Sequence, residues 1–355
     1  NFILATQNLS FPHFRIVRDG QIIPESEYAT RVFTARGQLR NEMSVPKLAA
    51  LARDKVTFVL DGIDKMCPSI GYLSSGLEYE TGARIQCNLY VSYGRTKGFD
   101  LHFDDHDVFI LQISGDKDWE IRGVTRVFPL PKDIQHDKNP PPDVLWQGTI
   151  SPGDLLYIPR GFWHVATSQD LPSMHITVGI NGVSGVDFLE WVGDELRQVD
   201  LWRKFLPLHR LSQNAEIDFL KSHLDALKTH MCEFMEDSSL LDRYIQSRIA
   251  TQKPRGGFNF PYQVLSKENL TINTHLFRPP YQPFLFVQEN DMVILRVWGR
   301  EFSFKSQAKE LLDLIFASAK FTPEDILEGL SDKISWKEVK GVFVTLIEEG
   351  VIFCA

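Results

Sequence analysis

The sequence has few cysteines, and none of them is arranged as a pair. The four lie far apart, with no Cys-x-x-Cys spacing, at Cys67, Cys87, Cys232 and Cys354. That pattern argues against a disulfide framework or a structural zinc site and favours a reducing compartment. We therefore expect a cytoplasmic protein.

Long apolar runs are missing as well. No stretch reaches the ~18 apolar residues that a membrane-spanning helix needs, so we expect no membrane association. The first residues, from Asn1 to Ala5, show no secretory signal pattern. Because the first residue is Asn, we expect the natural N-terminus to be missing.

Positive charge is not in excess. Asp and Glu number 46 against 38 Lys and Arg, which gives a formal net charge of −8. A basic footprint for nucleic acid is therefore absent, and we expect no direct nucleic-acid binding. An acidic surface is compatible instead with a basic peptide or protein partner.

Apolar side chains are abundant, and they follow a strand pattern between residues 82 and 181. Hydrophobic residues make up 43% of the 355 positions, enough for two or three structural units. Short strands separated by Gly and Pro turns, without intervening helices, are typical of an antiparallel barrel or jelly roll. The predicted strands are 83–93, 108–113, 117–121, 155–159, 163–167 and 174–180.

The regions on either side of this barrel have other patterns. Before it we expect a strand at 14–18, a capped helix that begins after Ser44, and a strand at 55–60. After residue 186 the apolar spacing becomes helical. The apolar stripe of segment 215–235 needs a partner, and two interpretations stay open: packing on the protein's own barrel, or an α-helical dimer interface. Its members are Ile217, Leu220, Leu224, Leu227, Met231 and Phe234.

A Pro- and Gly-containing linker at 253–257 leads into a C-terminal module. The pattern there predicts a hairpin around Gly299, three helices and a final strand, an order that fits a winged-helix-like module. Thr322 and Ser335 each have an acid three residues on, which predicts capping boxes. Across residues 291–355, eleven acids stand against eight basic residues, which favours protein contact over DNA binding. The predicted helices are 307–318, 322–330 and 335–349, and the final strand is 351–353.

These patterns together predict an α+β chain, mainly β, in three parts. Residues 1–185 form the barrel domain, 186–255 the helical and dimerisation segment, and 256–355 the linker and winged-helix-like module.

A polar cluster precedes the most apolar strand of the barrel. Side chains two apart in an extended strand share a face, so His102 and Asp104 are expected to point the same way. His106 shares that parity and is a rival candidate. We prefer His102 because the start of the strand is expected to lie near the barrel mouth, where substrate can enter.

A second histidine, His164, follows Asp104 by 60 residues, behind a Pro-Gly-Asp turn and an apolar strand. In a barrel, this spacing can bring two non-adjacent strands face to face. A lone His beside an apolar strand is usually structural, but two imidazoles and one carboxylate with open positions are the ligand set of a non-haem Fe(II) oxygenase. An all-His set would have indicated Zn or Mn instead.

Lys117 begins the strand after this cluster. A lysine at a turn is ordinarily solvated, and the alternative is that it pairs with a carboxylate inside the barrel, as the tail of 2-oxoglutarate would require. Asn88 and Tyr90 share a face of the preceding strand, and Thr177 lies on the last one. Each could orient a carboxylate by hydrogen bonding, although each is individually common in strands.

The sequence around these residues resembles the JmjC-type ribosomal oxygenases, which are cupin-fold, Fe(II)- and 2-oxoglutarate-dependent protein hydroxylases. The resemblance lies in residues 88–90, 102–119 and 152–164, and it is dense over 82–181. It implies a double-stranded β-helix (jelly-roll, JmjC) barrel. The order of the later helical segment and module also matches that family, which uses the helices to form a homodimer.

The resemblance implies roles for particular residues and a set of cofactors. The expected cofactors are Fe(II), 2-oxoglutarate and O₂, and the family's substrates are His or Arg side chains of ribosomal proteins. His175 is assigned no role. The implied iron ligands are His102, Asp104 and His164; the implied 2-oxoglutarate residues are Lys117, for the distal carboxylate, with Asn88, Tyr90 and Thr177.

Two other functions remain as alternatives. The chain could hydroxylate a free amino acid or small peptide, which a small closed pocket would favour, whereas an open acidic groove and a dimer would favour a protein substrate. It could also be a non-catalytic cupin regulator, but a complete metal-ligand set together with Lys117 argues against that hypothesis.

Overall fold

The computed structural model describes residues 12–33, 35–133, 139–206, 214–251, 269–332 and 334–354. The chain divides into two compact units, Asn1–Gly182 and Val183–Ala355. The second unit contains both regions that the sequence analysis separates at residue 255, and their division into two domains stays a prediction. No disulfide joins the four cysteines. None of the helices in the described ranges is long and apolar enough to span a bilayer.

The first unit is rich in strands. Its described strands are β1 (Phe14–Arg18), β2 (Gln21–Ile22), β3 (Ala29–Phe33), β4 (Leu39–Met43), β5 (Thr57–Asp61), β6 (Arg84–Ser92), β7 (Asp107–Ser114), β8 (Lys117–Val124), β9 (Val144–Ile150), β10 (Leu155–Ile158), β11 (Phe162–Ser168) and β12 (Ser173–Asn181). Its helices are α1 (Glu25–Tyr28), α2 (Val45–Arg53) and α3 (Pro68–Thr81).

Two antiparallel sheets form the barrel. The larger sheet has the strand order β10-β7-β12-β6-β5-β1-β2, and the smaller has the order β11-β8-β9. Buried side chains of both sheets pack into one core, which joins the two sheets face to face. The fully buried members of this core are Val108, Ile110, Trp119, Ile121, Ile150 and Ile158.

The alternation of side chains along β7 and β8 decides which residues face the interior. In β8 the buried positions are Lys117, Trp119 and Ile121, with half-buried residues between them. Because successive residues of a strand point to opposite faces, Lys117 is directed to the same side as two core residues. The alternation of side chains along β8 therefore directs Lys117 into the barrel interior.

The six predicted barrel strands are confirmed, each with ends within three residues of the observed ones. The strand at 14–18 is confirmed at β1, and the one at 55–60 begins later, at Thr57. The helix after Ser44 is present, but the predicted side-chain cap is wrong, since Ser44 makes no capping hydrogen bond. The sequence patterns missed α1, the short strands β2, β3 and β4, strand β9 and helix α3. Helix α3 has few buried residues and therefore little apolar periodicity.

The outer face of the large sheet is covered by helices. Leu48 and Leu51 of α2 pack with Phe58 of β5 and Ile85 of β6 in a second core. This layer covers the face of β6 that carries Ile85, whereas Asn88, on the opposite face of the strand, is directed to the barrel interior.

The second unit combines helices with two small sheets. Its strands are β13 (Leu276–Phe277), β14 (Phe284–Glu289), β15 (Met292–Val297), β16 (Arg300–Lys305), β17 (Lys320–Phe321) and β18 (Phe353–Cys354). Its described helices are α4 (Gly185–Leu196), α5 (Asp200–Arg203), α6 (Asn214–Glu236), α7 (Leu240–Thr251), α8 (Lys309–Ala317), α9 (Pro323–Glu328) and α10 (Trp336–Glu348).

Several predictions for this unit are confirmed. Helices α8, α9 and α10 lie where the sequence predicts them, and the hairpin around Gly299 joins β15 to β16. Both predicted capping boxes are present, because Thr322 and Ser335 exchange hydrogen bonds with the acid three residues on. The final strand lies slightly later than predicted and pairs with β13. The predicted linker at 253–257 lies outside the described residues, and the winged-helix assignment stays a prediction.

Candidate metal centre and its cavity

The segment that carries His102 and Asp104 is not a strand of its own, because β7 begins only at Asp107. It is held instead against the start of β11. The backbone amides of His102 and His164 each donate to the other residue's carbonyl oxygen, at 3.1 and 2.7 Å. The amide of Gly161 donates to the carbonyl oxygen of Asp104 at 2.9 Å. The predicted strand start is therefore wrong, yet pairing with β11 still brings the two histidines side by side.

Three side chains converge at this point. One potential ligand atom from each of His102, Asp104 and His164 lies within 4.8 Å of the others. Nε2 of His164 is 3.6 Å from a carboxylate oxygen of Asp104, and the centroids of the two imidazole rings are 4.5 Å apart. This spacing is close enough for all three groups to contact one ion.

Hydrogen bonds fix the tautomers of both imidazoles. Nδ1 of His102 lies 2.7 Å from the carbonyl oxygen of Asp100, and Nδ1 of His164 lies 3.0 Å from that of Phe162. A carbonyl oxygen can only accept, so each Nδ1 carries the proton and each Nε2 keeps its lone pair. Orienting a ring through its other nitrogen is how proteins prepare a metal-binding histidine.

His164 is also kept neutral. Burial, and secondarily the neighbouring His102, lower the pKa of His164 to about 4. At neutral pH an incoming metal would therefore not have to displace a proton from this ring.

The rival His106 takes another position. Its Nδ1 lies 2.9 Å from the carboxylate of Asp105. Its ring lies over Gly179, where a Cβ atom would approach it to 2.9 Å. His106 lines the cavity but does not join the three-residue cluster. The parity argument that made it a rival fails because residues 102–106 do not form a continuous strand.

A cavity of about 200 Å³ extends from the cluster into the barrel. Ile121, the strand partner of His164, lies four residues along β8 from Lys117. At about 3.3 Å per residue, the backbones of Ile121 and Lys117 are therefore roughly 13 Å apart. The cavity thus has a metal end, at the cluster, and an anchor end, at Lys117. Its lining includes Asn88, Tyr90, Trp119, His175 and Thr177.

Lys117 is a buried cation, only 2% exposed. Its Nζ donates to Oγ of Ser92 at 3.2 Å and lies 3.4 Å from Nδ1 of His175. Burial lowers the pKa of Lys117 to about 7, and no carboxylate among the described residues forms a salt bridge with it. An ammonium held in this way is a binding site for an anion.

The remaining predicted residues lie on two neighbouring strands. Asn88 of β6 is the register partner of Thr177 of β12, and Tyr90 is the partner of His175. Asn88 accepts a hydrogen bond from the amide of Gly62 at 3.0 Å. Burial, with Asp61 and Asp104 nearby, raises the pKa of the Tyr90 hydroxyl, which therefore stays protonated and able to donate.

Two aromatic residues of this cavity, His175 and Trp119, had no role predicted from the sequence. His175 contacts Lys117 and stacks on Tyr90, and Trp119 lies between the two ends, with its ring 6.2 Å from His164 and 5.7 Å from His175. Each could have been found from strand parity. His175 is two residues before Thr177, and Trp119 is two residues after Lys117.

Comparison with known proteins finds similarity around the metal-binding cluster. Residues 73–188 match the family described as JmjC domain. The chain is 28% identical over 196 residues to the bifunctional lysine-specific demethylase and histidyl-hydroxylase NO66 of Brugia malayi, covering 49% of this chain and 28% of that protein. It is 34% identical over 106 residues to ribosomal oxygenase 1 of Homo sapiens, covering 29% of this chain and 16% of that protein. The matches therefore span less than a third of either relative.

A solved structure covers almost the whole chain. YcfD, a ribosomal oxygenase from Escherichia coli in complex with cobalt and 2-oxoglutarate, has a TM-score of 0.52 at 18% identity, covering 96% of this chain and 94% of that one. At this identity the likeness shows a shared fold. The expected JmjC resemblance and the cupin-type, mainly β fold are confirmed.

Proposed function

From a chain that carries a JmjC domain and shares its fold with a ribosomal oxygenase, we propose an Fe(II)- and 2-oxoglutarate-dependent oxygenase that hydroxylates a protein side chain. One observation carries the proposal. A single cavity joins the cluster of His102, Asp104 and His164 to the buried ammonium of Lys117. A ligand with metal-binding oxygens at one end and a carboxylate at the other suits both ends at once.

The metal end fits Fe(II) by its donors. The ion would be held through Nε2 of two imidazoles, His102 and His164, and through the carboxylate of Asp104, which would leave positions for further ligands. Two imidazoles with one carboxylate are typical of Fe(II) oxygenases, whereas an all-His set would indicate Zn or Mn.

The anchor end fits the distal carboxylate of 2-oxoglutarate. Lys117 would donate a charge-assisted hydrogen bond to it, which also compensates the cost of burying the ammonium. Asn88, Tyr90 and Thr177 lie on the adjoining wall, where they would orient the rest of the molecule. When bound, iron and 2-oxoglutarate would supply the oxidising chemistry: 2-oxoglutarate, O₂ and a substrate C–H bond would give succinate, CO₂ and a C–OH product, with one oxygen atom of O₂ in succinate and the other in the product.

The protein's own residues would exclude water from this chemistry. Phe99 and Trp119 line the cavity beside the cluster, with ring centroids 6.2 Å from those of His102 and His164, respectively. Val108 and Ile110 add further apolar surface to the cavity wall. The residues thus position and desolvate the reactants, whereas the metal carries the oxidation.

A protein substrate is supported by the surface beside the cluster. Residues 126–129 pack directly on Gly161, where a Cβ atom would lie 2.9 Å from the carbonyl oxygen of Arg126. In that segment Val127 and Phe128 are 66% and 68% exposed. Exposed apolar side chains at the rim of a site are typical of protein recognition. We propose a His or Arg side chain of a ribosomal protein as the target; the alternative is a free amino acid or small peptide.

The helical segment supports a homodimer. No member of the apolar stripe on α6 is fully buried within the chain, and Leu224 is 47% exposed. We propose that a second copy covers this stripe and that the C-terminal module, of winged-helix type, contacts protein rather than nucleic acid. Sedimentation velocity tests the dimer: Leu224→Glu should give a monomer, and Lys221→Glu, three residues away on the same helix, should not.

The substrate is tested by mass spectrometry. Purified protein reconstituted anaerobically with Fe(II) and 2-oxoglutarate would be mixed with ribosomal proteins and then exposed to O₂. We expect one ribosomal protein to gain a single oxygen atom on a His or Arg, and Asp104→Ala to give none. If 2-oxoglutarate is consumed and no ribosomal protein gains oxygen, the ribosomal assignment is wrong, and free amino acids are tested in the same way. A cytoplasmic location is proposed from the unpaired arrangement of the cysteines.

A further inference from the structure

His175 lies at the anchor end of the cavity, beside Lys117, and belongs to neither predicted ligand set. The side chain is 3% exposed. Its ring stacks on Tyr90 with the centroids 4.8 Å apart and the planes 3° from parallel. The ring of Trp119 meets it edge-on at 5.7 Å. Two aromatic neighbours thus fix both the position and the plane of the imidazole.

The ring nitrogen that faces Lys117 acts as an acceptor. Nδ1 of His175 lies 3.4 Å from Nζ of Lys117, and an ammonium has donors only. Burial, and secondarily the charge of Lys117, lower the pKa of His175 well below its usual value. The imidazole is therefore neutral, with its proton on Nε2 and its lone pair directed at the ammonium.

Two of the three N–H groups of the Lys117 ammonium are bound within the protein. An ammonium has three N–H groups. Oγ of Ser92 takes one at 3.2 Å and Nδ1 of His175 takes a second. Ser92 itself lies 2.9 Å from Oγ1 of Thr57, so its position is also fixed. One donor remains for a ligand in the cavity.

We propose that His175 is a positioning residue for Lys117: it accepts one ammonium proton and so aims the remaining donor at the distal carboxylate of the bound dicarboxylate. This role rests on the proposed function. His175 contacts Lys117 rather than the reacting atoms, so its loss weakens 2-oxoglutarate binding and leaves the metal site intact.

A purely structural role would require only the aromatic ring. His175→Phe keeps a planar ring of similar size between Tyr90 and Trp119 but removes the acceptor. His175→Asn removes the ring and keeps a short side chain whose amide oxygen can accept near the position of Nδ1. The two variants therefore separate packing from hydrogen bonding.

The test measures 2-oxoglutarate affinity by anaerobic calorimetry on the Fe(II)-loaded protein. Loss of a hydrogen bond to a charged group should raise the Kd of His175→Phe about tenfold or more, whereas His175→Asn should restore it to within about threefold. The Fe(II) affinity of His175→Phe should match that of the parent protein, and circular dichroism should show the variant folded. In turnover, the KM for 2-oxoglutarate should rise and kcat should not change. A His175→Phe variant with parental affinity, or a His175→Asn variant as weak as it, overturns the proposal.

A second measurement does not depend on 2-oxoglutarate. The ¹³Cε resonance of Lys117 in the ligand-free protein, identified by its absence in Lys117→Met, reports the pKa of the ammonium. Because an acceptor stabilises the charged form, His175→Phe should lower that pKa and His175→Asn should restore it. If the parent protein binds no 2-oxoglutarate, the proposed function fails, and this titration alone decides the role of His175. An unchanged pKa in His175→Phe contradicts it.

Discussion

The two ends of the cavity differ in charge, in exposure and in what they lack. At the metal end, the carboxylate of Asp104 and the imidazoles of His102 and His164 lie together, and this end is partly open to solvent. At the anchor end, Lys117 is buried beside two neutral acceptors, and no acid in the described part of the chain forms a salt bridge with it. One end is suited to a cation and the other to an anion. A small molecule that chelates a metal and ends in a carboxylate satisfies both, and this complementarity separates the site from an ordinary buried cluster.

The largest effect is expected from removing the carboxylate of the metal end. Asp104→Ala leaves only two imidazoles, which hold a divalent ion poorly at this donor count, so turnover should fall by about 10³-fold or more. The measurement is succinate formation together with Fe(II) binding by equilibrium dialysis.

His106→Ala is the matched control for Asp104→Ala. It removes a titratable side chain of the same segment that lies outside the cluster, and it should keep Fe(II) binding. Circular dichroism should show both variants folded. If His106→Ala loses iron while His102→Ala keeps it, the ligand assignment is wrong.

Lys117→Met tests the anchor end and should separate activity from stability. Losing the charge-assisted hydrogen bond should raise the KM for 2-oxoglutarate by about 100-fold. The ligand-free protein should melt at a higher temperature, because a buried ammonium without an acidic partner is replaced by an apolar chain of similar length. Thermal melting with and without 2-oxoglutarate measures both effects. A lower melting temperature in the absence of ligand would show that Lys117 is a structural residue.

The pH dependence follows from the pKa of Lys117, about 7 in the ligand-free protein. Below that pKa the ammonium is already formed, so 2-oxoglutarate affinity should be flat. Above it, binding must take up a proton, and Kd should rise toward tenfold per pH unit. Because the unfolded lysine titrates near 10.5, the unfolded chain binds more protons between pH 7 and 10.5, and ligand-free stability from this group should increase with pH in that window. Both trends should vanish in Lys117→Met.

The smallest effect is expected at Thr177. Thr177→Val keeps the β-branched shape and the pairing with Asn88 but removes one neutral hydroxyl, so the KM for 2-oxoglutarate should rise by about fivefold at most. Steady-state kinetics measure it, with Asn88→Ala as the comparison on the partner strand. If the KM for 2-oxoglutarate rises as much in Thr177→Val as in Lys117→Met, Thr177 rather than Lys117 is the main contact of the distal carboxylate.

The sequence predicted which residues line the cavity, but it did not predict the backbone structure that brings all of them there. Asn88 and Tyr90 were proposed because they share a strand face, and the family resemblance implied roles for both of them and for Lys117 and Thr177. All four line the cavity. His102 and Asp104 were placed together by assuming a strand that does not exist; the backbone pairing with β11 that holds them joins residues some 60 positions apart. Such pairing is a tertiary contact, and a local pattern does not contain it.

His175 was missed for a related reason. Its role depends on a cross-strand neighbour, Tyr90, and on Lys117 from the other sheet. Helix α3 was missed because Ser74, its one fully buried residue, interrupts the apolar stripe between Ile70 and Leu77. In the second unit, by contrast, local signals were sufficient: capping boxes at Thr322 and Ser335 mark two helix starts directly in the sequence.

The most direct measurement is a crystal structure of the protein prepared anaerobically with 2-oxoglutarate and Mn(II) in place of iron, with the metal located by its anomalous scattering. We expect a single metal peak within bonding distance of Nε2 of His102, Nε2 of His164 and the carboxylate of Asp104. We also expect the distal carboxylate of 2-oxoglutarate within hydrogen-bond distance of Nζ of Lys117. A metal bound elsewhere, or a carboxylate that does not reach Lys117, would contradict the assignment of the two ends.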